Sequence, residues 1–243
     1  MGKRRFLRRV AFPAAIILVA GLASAVGATA ALAQGSAPGE PGSAAYWDEP
    51  SVSGFADSLG ANSKVWYTLG NGELENVFYP ETDTPDTYGL QYAVTNGSSF
   101  SELETTGTTH AISLADPTSL TWQQVNTATN GDFTITKTYI ADPSRSVILV
   151  QTTFDNETSS PLHLYVDYHP YLDNDGMGNT GGTDSTSGDL EAENGSVASA
   201  LTSSLGFSQT STGYVAAPAT ARRCSPATTR CPRRTRRPPP PAI

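Results

Sequence analysis

Phe133-Thr134-Ile135-Thr136-Lys137-Thr138-Tyr139-Ile140-Ala141-Asp142-Pro143-Ser144-Arg145-Ser146-Val147-Ile148-Leu149-Val150-Gln151-Thr152-Thr153-Phe154 is the most instructive run of this 243-residue chain. In its first half Phe133, Ile135, Lys137 and Tyr139 fall on one face, and Thr134, Thr136 and Thr138 on the other. That two-residue period belongs to a strand with one covered face. Asp142-Pro143 then breaks the run, because proline fixes its φ and has no N–H to give to a ladder. Residues 147–154 are apolar nearly throughout, as expected of a strand buried on both faces.

Outward from this hairpin the same grammar repeats. Asn71-Gly72, Asn96-Gly97, Asn130-Gly131 and Asn194-Gly195 each stand between strand-like runs. Asn and Gly accept the positive φ that a two-residue hairpin turn demands. Residues 64–69 are expected to pair with 73–79, and 89–95 with 99–104. Residues 162–168 alternate again. Helix-period apolar stripes are missing. Ten or more short strands at turn-punctuated spacing predict an all-β, antiparallel sandwich.

The two ends differ from this body. Lys3, Arg4, Arg5, Arg8 and Arg9 precede an apolar run over residues 10–32, closed by Ala31-Leu32-Ala33. A positive n-region, an apolar stretch and an A-x-A site define a signal peptide, expected over 1–33. The alternative is a retained anchor, since the run approaches spanning length. Export implies a secreted, extracellular protein with no membrane contact after cleavage. Residues 34–45 read as a flexible Gly/Ser/Pro/Ala linker and 46–221 as the domain. Residues 34–221 hold all 23 acidic residues and three basic ones, Lys64, Lys137 and Arg145, a formal charge of −20. Residues 222–243 hold seven arginines, a proline run and no acidic residue. This tail reads as disordered, out-of-frame translation of G+C-rich DNA, and the chain as a larger protein cut short near 215–221. The alternative, a basic arm for nucleic acid, fits poorly behind an export signal, so no nucleic-acid partner is expected. Cys224 and Cys231 both lie in that tail. Their spacing, with no third ligand nearby, is no zinc pattern.

Candidate chemistry is sparse. Glu73/Glu75, Glu102/Glu104 and Glu191/Glu193 are each two residues apart. On a strand that places both carboxylates on one face about 6.8 Å apart, within the window of inverting glycosidases. Three such pairs in one acidic domain read first as solvated polar faces. Of the histidines, His110, His163 and His169, the last two share a strand face with Tyr165 and Asp167. His163 and Asp167 are about 13 Å apart on an extended strand, too far to share a metal. Asp173-Asn174-Asp175-Gly176-Met177-Gly178-Asn179-Thr180-Gly181-Gly182-Thr183-Asp184 is the densest polar loop. Its oxygens suit Ca²⁺ in spacing, but the EF-hand pattern fails at Met177 and at the twelfth position. A Gly-rich connection is the simpler expectation, and no catalytic, metal or cofactor residue is assigned. Trp47, Trp66 and Trp122 are available for stacking on sugar rings, though sandwich aromatics chiefly fill cores and edges.

The order of motifs resembles a known family. Lys64-Val65-Trp66-Tyr67-Thr68-Leu69, Gly72-Glu73-Leu74 and Val77-Phe78-Tyr79-Pro80-Glu81-Thr82-Asp83-Thr84-Pro85 are similar to the N-terminal domain of bacterial glucoamylases and glucodextranases, glycoside hydrolase family 15. So are Thr108-Thr109-His110, Ile135-Thr136-Lys137-Thr138-Tyr139, Asp142-Pro143-Ser144-Arg145 and Gly176-Met177-Gly178-Asn179-Thr180-Gly181. The resemblance spans about residues 38–215. It implies a galactose-mutarotase-like β-supersandwich, here expected to be incomplete at its C-terminal end. It implies a partner too, an (α/α)₆ barrel that carries both catalytic glutamates and releases glucose from α-glucans with inversion. Neither glutamate maps onto a position of this sequence, so the expected role is a non-catalytic accessory domain with at most weak or indirect α-glucan contact. The alternative is a stand-alone secreted carbohydrate-binding module. If late strands are missing, residues 147–154 lack a partner, and the chain is expected to associate as salt screens its charge.

Overall fold

The computed structural model describes residues 14–22, 52–176 and 178–212, the first of these as backbone. Fourteen strands and a single turn of α-helix make up the regular structure among them. In chain order these are β1 (Ala14–Leu22), β2 (Val52–Asp57), β3 (Trp66–Gly70), β4 (Glu73–Phe78), β5 (Pro85–Thr95) and β6 (Ser101–Leu103). The helical turn α1 (Glu104–Gly107) leads to β7 (Thr108–Asp116), β8 (Thr121–Ala128), β9 (Phe133–Ala141), β10 (Val147–Asn156) and β11 (His163–Pro170). After a 3₁₀ turn at Leu172–Asn174 come β12 (Thr180–Thr183), β13 (Leu190–Asn194) and β14 (Val197–Ser203).

The strands form two antiparallel sheets. One runs β12-β13-β14-β1-β10-β9-β8-β7, the other β11-β5-β4-β3-β2 with β6 added beside β5. Their inner faces meet in one core. Tyr67, Leu69, Leu74, Leu90 and Tyr92 come from the six-stranded sheet, and Phe133, Ile135, Tyr139, Ile148, Val150 and Leu201 from the eight-stranded one. The Tyr67 and Tyr139 rings, 6.2 Å apart, bridge the layers. A smaller cluster of Tyr79, Leu172, Ala192 and Val197 closes one end.

Local sequence explains the turns. All four Asn-Gly pairs link neighbouring strands, and each glycine has positive φ. Asn71 (φ 46°) and Gly72 (φ 83°) give the β3–β4 hairpin the mirror-image turn that follows strand twist. Burial alternates strictly along β9, as its sequence period requires.

Two expectations need correction. β10 is not buried on both faces: Ile148, Val150 and Thr152 are buried, whereas Val147 and Leu149 are half-buried and Gln151 is exposed. Its apolar run continues on a partly open outer face. Nor does β10 lack a partner on its far side. Residues 14–22, read from sequence within the leader, form β1 between β10 and β14, antiparallel to both. The rest of the leader, the linker, Trp47 and the basic tail lie outside the described residues. Among the described residues no helix is long and apolar enough to cross a membrane.

Candidate functional site

Sheet packing brings Lys137 of β9 and Glu104 of α1 together in the interior. Alternation aims Lys137 inward with Phe133, Ile135 and Tyr139. Glu104 begins the single helical turn by which the chain crosses from one sheet to the other. Lys137 Nζ lies 2.8 Å from Glu104 Oε2, and neither side chain is exposed. The ammonium also donates to the Gly72 carbonyl at 3.0 Å and stands 5.3 Å from the Tyr92 ring centroid. Glu104 accepts from the Tyr92 backbone N–H at 2.7 Å and from Asn126 Nδ2 at 2.6 Å. Asn126 Nδ2 also donates to the Gly72 carbonyl at 2.7 Å. Tyr139 donates its hydroxyl to Gln124 Oε1 at 2.9 Å, and Gln124 Nε2 donates to the Glu73 carbonyl at 3.3 Å. Five segments, β5, α1, β8, β9 and the β3–β4 turn, thus meet on one ion pair.

Burial pushes the Glu104 carboxyl up and the Lys137 ammonium down, each toward neutrality, and their mutual attraction opposes both. Three donors converge on Glu104 and its side chain is fully buried, so it is closed to an external substrate. Such a cluster ties the sheets together and offers no acid or base to a sugar.

The paired carboxylates separate in three ways. Glu102 lies half-buried in the middle of β6 while Glu104 enters α1 and is buried, so the two never share a strand face. Between β3 and β4 the register passes from Thr68↔Asn76 to Leu69↔Leu74. This bulge at Glu75 breaks the alternation that would align it with Glu73. Burial raises Glu75 to about 7, and its Oε2 is buried without a hydrogen-bond partner among the described residues. Burial also raises Glu73, to about 8, against the attraction of Lys137. Glu191 and Glu193 do share β13, both half-buried, and Glu193 accepts the Thr180 hydroxyl at 3.4 Å.

The histidines scatter. His110 is exposed, its Nδ1 3.2 Å from the Thr108 hydroxyl. His163 is exposed, and His169, half-buried, packs on Tyr88 at 5.3 Å. In the 173–184 loop, Asp184 Oδ1 accepts Thr186 N and Ser187 N at 2.8 and 2.6 Å. The Asp173 N–H donates to Asp86 Oδ1 at 2.8 Å, pinning the loop to β5. Asn194 donates to the Leu172 carbonyl at 2.9 Å. The loop therefore serves as a hydrogen-bonded connection. Among the described residues no group of three or more His, Cys, Asp or Glu could hold a metal ion. Trp66 and Trp122 lie on different sheets, and Trp122 packs over Gly54 and donates to the Phe55 carbonyl at 3.2 Å. A depression of about 280 Å³ beside Trp66 is lined by Asp57, Ser58, Leu59 and Ser63.

Sequence reasoning placed Lys137 on a sheet face but missed its partners, Glu104 and the Gly72 carbonyl, and Asn126, which bonds both of them. The available signal was a lone lysine among inward Phe, Ile and Tyr.

Two packed antiparallel sheets with almost no helix define an all-β, galactose-mutarotase-like supersandwich domain. Residues 37–222 match the family described as glucodextranase, domain N, and the chain belongs to that family. It is 33% identical over 184 residues to a glucoamylase of Clostridium sp. (strain G0005), covering 74% of this chain and 26% of that protein. It also superposes on a bacterial glucoamylase crystallised with acarbose, with a TM-score of 0.66 and 28% identity. That match covers 79% of this chain and 28% of the other. The chain thus spans about a quarter of the length of these relatives.

Proposed function

We propose that this chain is the non-catalytic N-terminal accessory domain of a secreted α-glucan exo-hydrolase of the glucoamylase or glucodextranase type. In that setting it would support an (α/α)₆ catalytic barrel and act on no glycosidic bond itself. The observation that carries this reading is Glu104. It is the most buried of the candidate carboxylates, and its oxygens are consumed by Lys137, Asn126 and the Tyr92 amide. The family match to domain N supports the same assignment.

The test is glucose release from maltooligosaccharides and dextran by the purified chain. None is expected. Glu73 and Glu75, raised by burial to about 8 and about 7, are the candidate carboxyls whose ionisation lies nearest neutral pH, and Glu73 is the one with the higher value. Sustained release that disappears in Glu73→Gln would overturn the proposal and place chemistry in this domain.

A second reading, a carbohydrate-binding module, draws on the depression beside Trp66. Isothermal titration with starch and dextran oligomers decides it. Binding heat abolished by Trp66→Ala would support the module, and no heat at millimolar sugar would remove it.

A further inference from the structure

We propose that the gap between β10 and β14 is a strand-acceptor slot and that Ala14–Leu22 of this same chain is the strand that fills it. Retention of the leader would then close the eight-stranded sheet, and its removal would open that sheet in the middle.

The argument rests on direction, register and composition. β1 is antiparallel to both neighbours, so β10 and β14 run parallel to each other. Neighbouring strands stand about 4.8 Å apart. Two strands flanking a third are therefore about 9.6 Å apart, too far to bond directly and one strand wide. Ala14 to Val19 pair with Thr152 to Val147 on one side. Ile16 to Leu22 pair with Ser203 to Val197 on the other. Ile16 and Leu18 are in register with Val150 and Ile148, both fully buried, and Leu18 is also in register with the fully buried Leu201. The inserted sequence, Ala-Ala-Ile-Ile-Leu-Val-Ala-Gly-Leu, has no charge and no proline, and is rich in β-branched residues. Those features suit a central strand. Without it, two rows of backbone N–H and C=O groups lose their partners beside an apolar core. The same nine residues form the apolar heart of the expected export signal, so export processing and sheet closure compete for one segment.

Two measurements test this. In the full chain with Cys224→Ser and Cys231→Ser, the in-register pairs Ala15→Cys/Gln151→Cys and Val19→Cys/Ala200→Cys should each cross-link under mild oxidation. The displaced pair Ala15→Cys/Val147→Cys should not. In-register pairs that stay reduced, or a displaced pair that closes equally well, would overturn the proposal. Second, a chain beginning at Gln34 should melt about 5 °C or more below the full chain. It should also associate as salt rises, and exchange the amide protons of Ile148, Val150 and Ala200 faster. A synthetic peptide of residues 14–22 with a solubilising lysine pair should reverse these changes, and a scrambled peptide should not. An unchanged melting temperature and unchanged exchange in the Gln34 chain would equally overturn the idea. If that chain fails to fold, the cross-links decide.

Discussion

Lys137 is held by a carboxylate, a carbonyl and two aromatic faces, with no solvent to take over if any is lost. Removing one member of such a pair leaves the other charge buried and uncompensated, at a cost of about 3–5 kcal/mol. Lys137→Met should therefore destabilise the domain by that amount in urea unfolding. Lys137→Met/Glu104→Leu should cost less than the sum of the two single changes, because no orphan charge remains. The Tyr92 amide and Asn126 still lose their acceptor, so the double variant stays below the parent. Strict additivity in this cycle would count against coupling. The inward position of Lys137 was legible in the period of residues 133–139. Its partner was not. Twenty-three acidic residues compete for three basic ones in residues 34–221, and Glu104 reaches Lys137 only because α1 crosses between sheets.

At the scale of elements, the hairpins carry different loads. Gly72 and Gly131 both sit at positive φ, near +80°. A Cβ on Gly131 would meet nothing within 4 Å, whereas one on Gly72 would lie 2.7 Å from His110 Nδ1. The Gly72 carbonyl also accepts from Lys137 and Asn126. Gly131→Ala should cost about 1–2 kcal/mol, the left-handed backbone penalty alone. Gly72→Ala should cost at least about 1 kcal/mol more, through the clash and the displaced acceptor. Equal losses in denaturant melts would show that the β3–β4 turn does not hold the ion pair in place. The turns were readable in advance because positive φ is a local property written in Asn-Gly. Coverage of β10 was not, since whether Leu149 meets solvent depends on what packs over it rather than on its neighbours in sequence. Residues 14–22 read from sequence as an export segment or an anchor and not as a strand, because a buried strand asks for the same apolar, uncharged composition.

For the whole molecule, buried acids set the response to pH. Burial is the largest cause of the upward shift at Glu73, to about 8, and at Glu75 and Asp86, each to about 7. In the unfolded chain these groups ionise near 4.5 for Glu and 3.8 for Asp. Between those values and 7–8 the folded state binds more protons than the unfolded state. Stability then falls as pH rises. The contribution is fully present below about pH 4 and is lost by about pH 8. Asp116, Asp142 and Asp184 act in the opposite sense. Hydrogen bonds hold their carboxyls low, so their contribution disappears only as pH falls through the acid range. The two sets together place maximum stability on the acid side of neutrality, near pH 4–5. The expected result is a higher melting temperature at pH 5 than at pH 8.5, with Glu75→Gln reducing the difference. Self-repulsion of the −20 body would change in the same direction, but salt screens exposed charges within about 10 Å at 0.1 M and buried ones far less. The pH dependence should therefore persist at 0.5 M salt. A difference that vanishes there would assign it to surface charge, and a melting temperature that rises from pH 5 to 8.5 would show that these carboxyls are ionised in the folded domain.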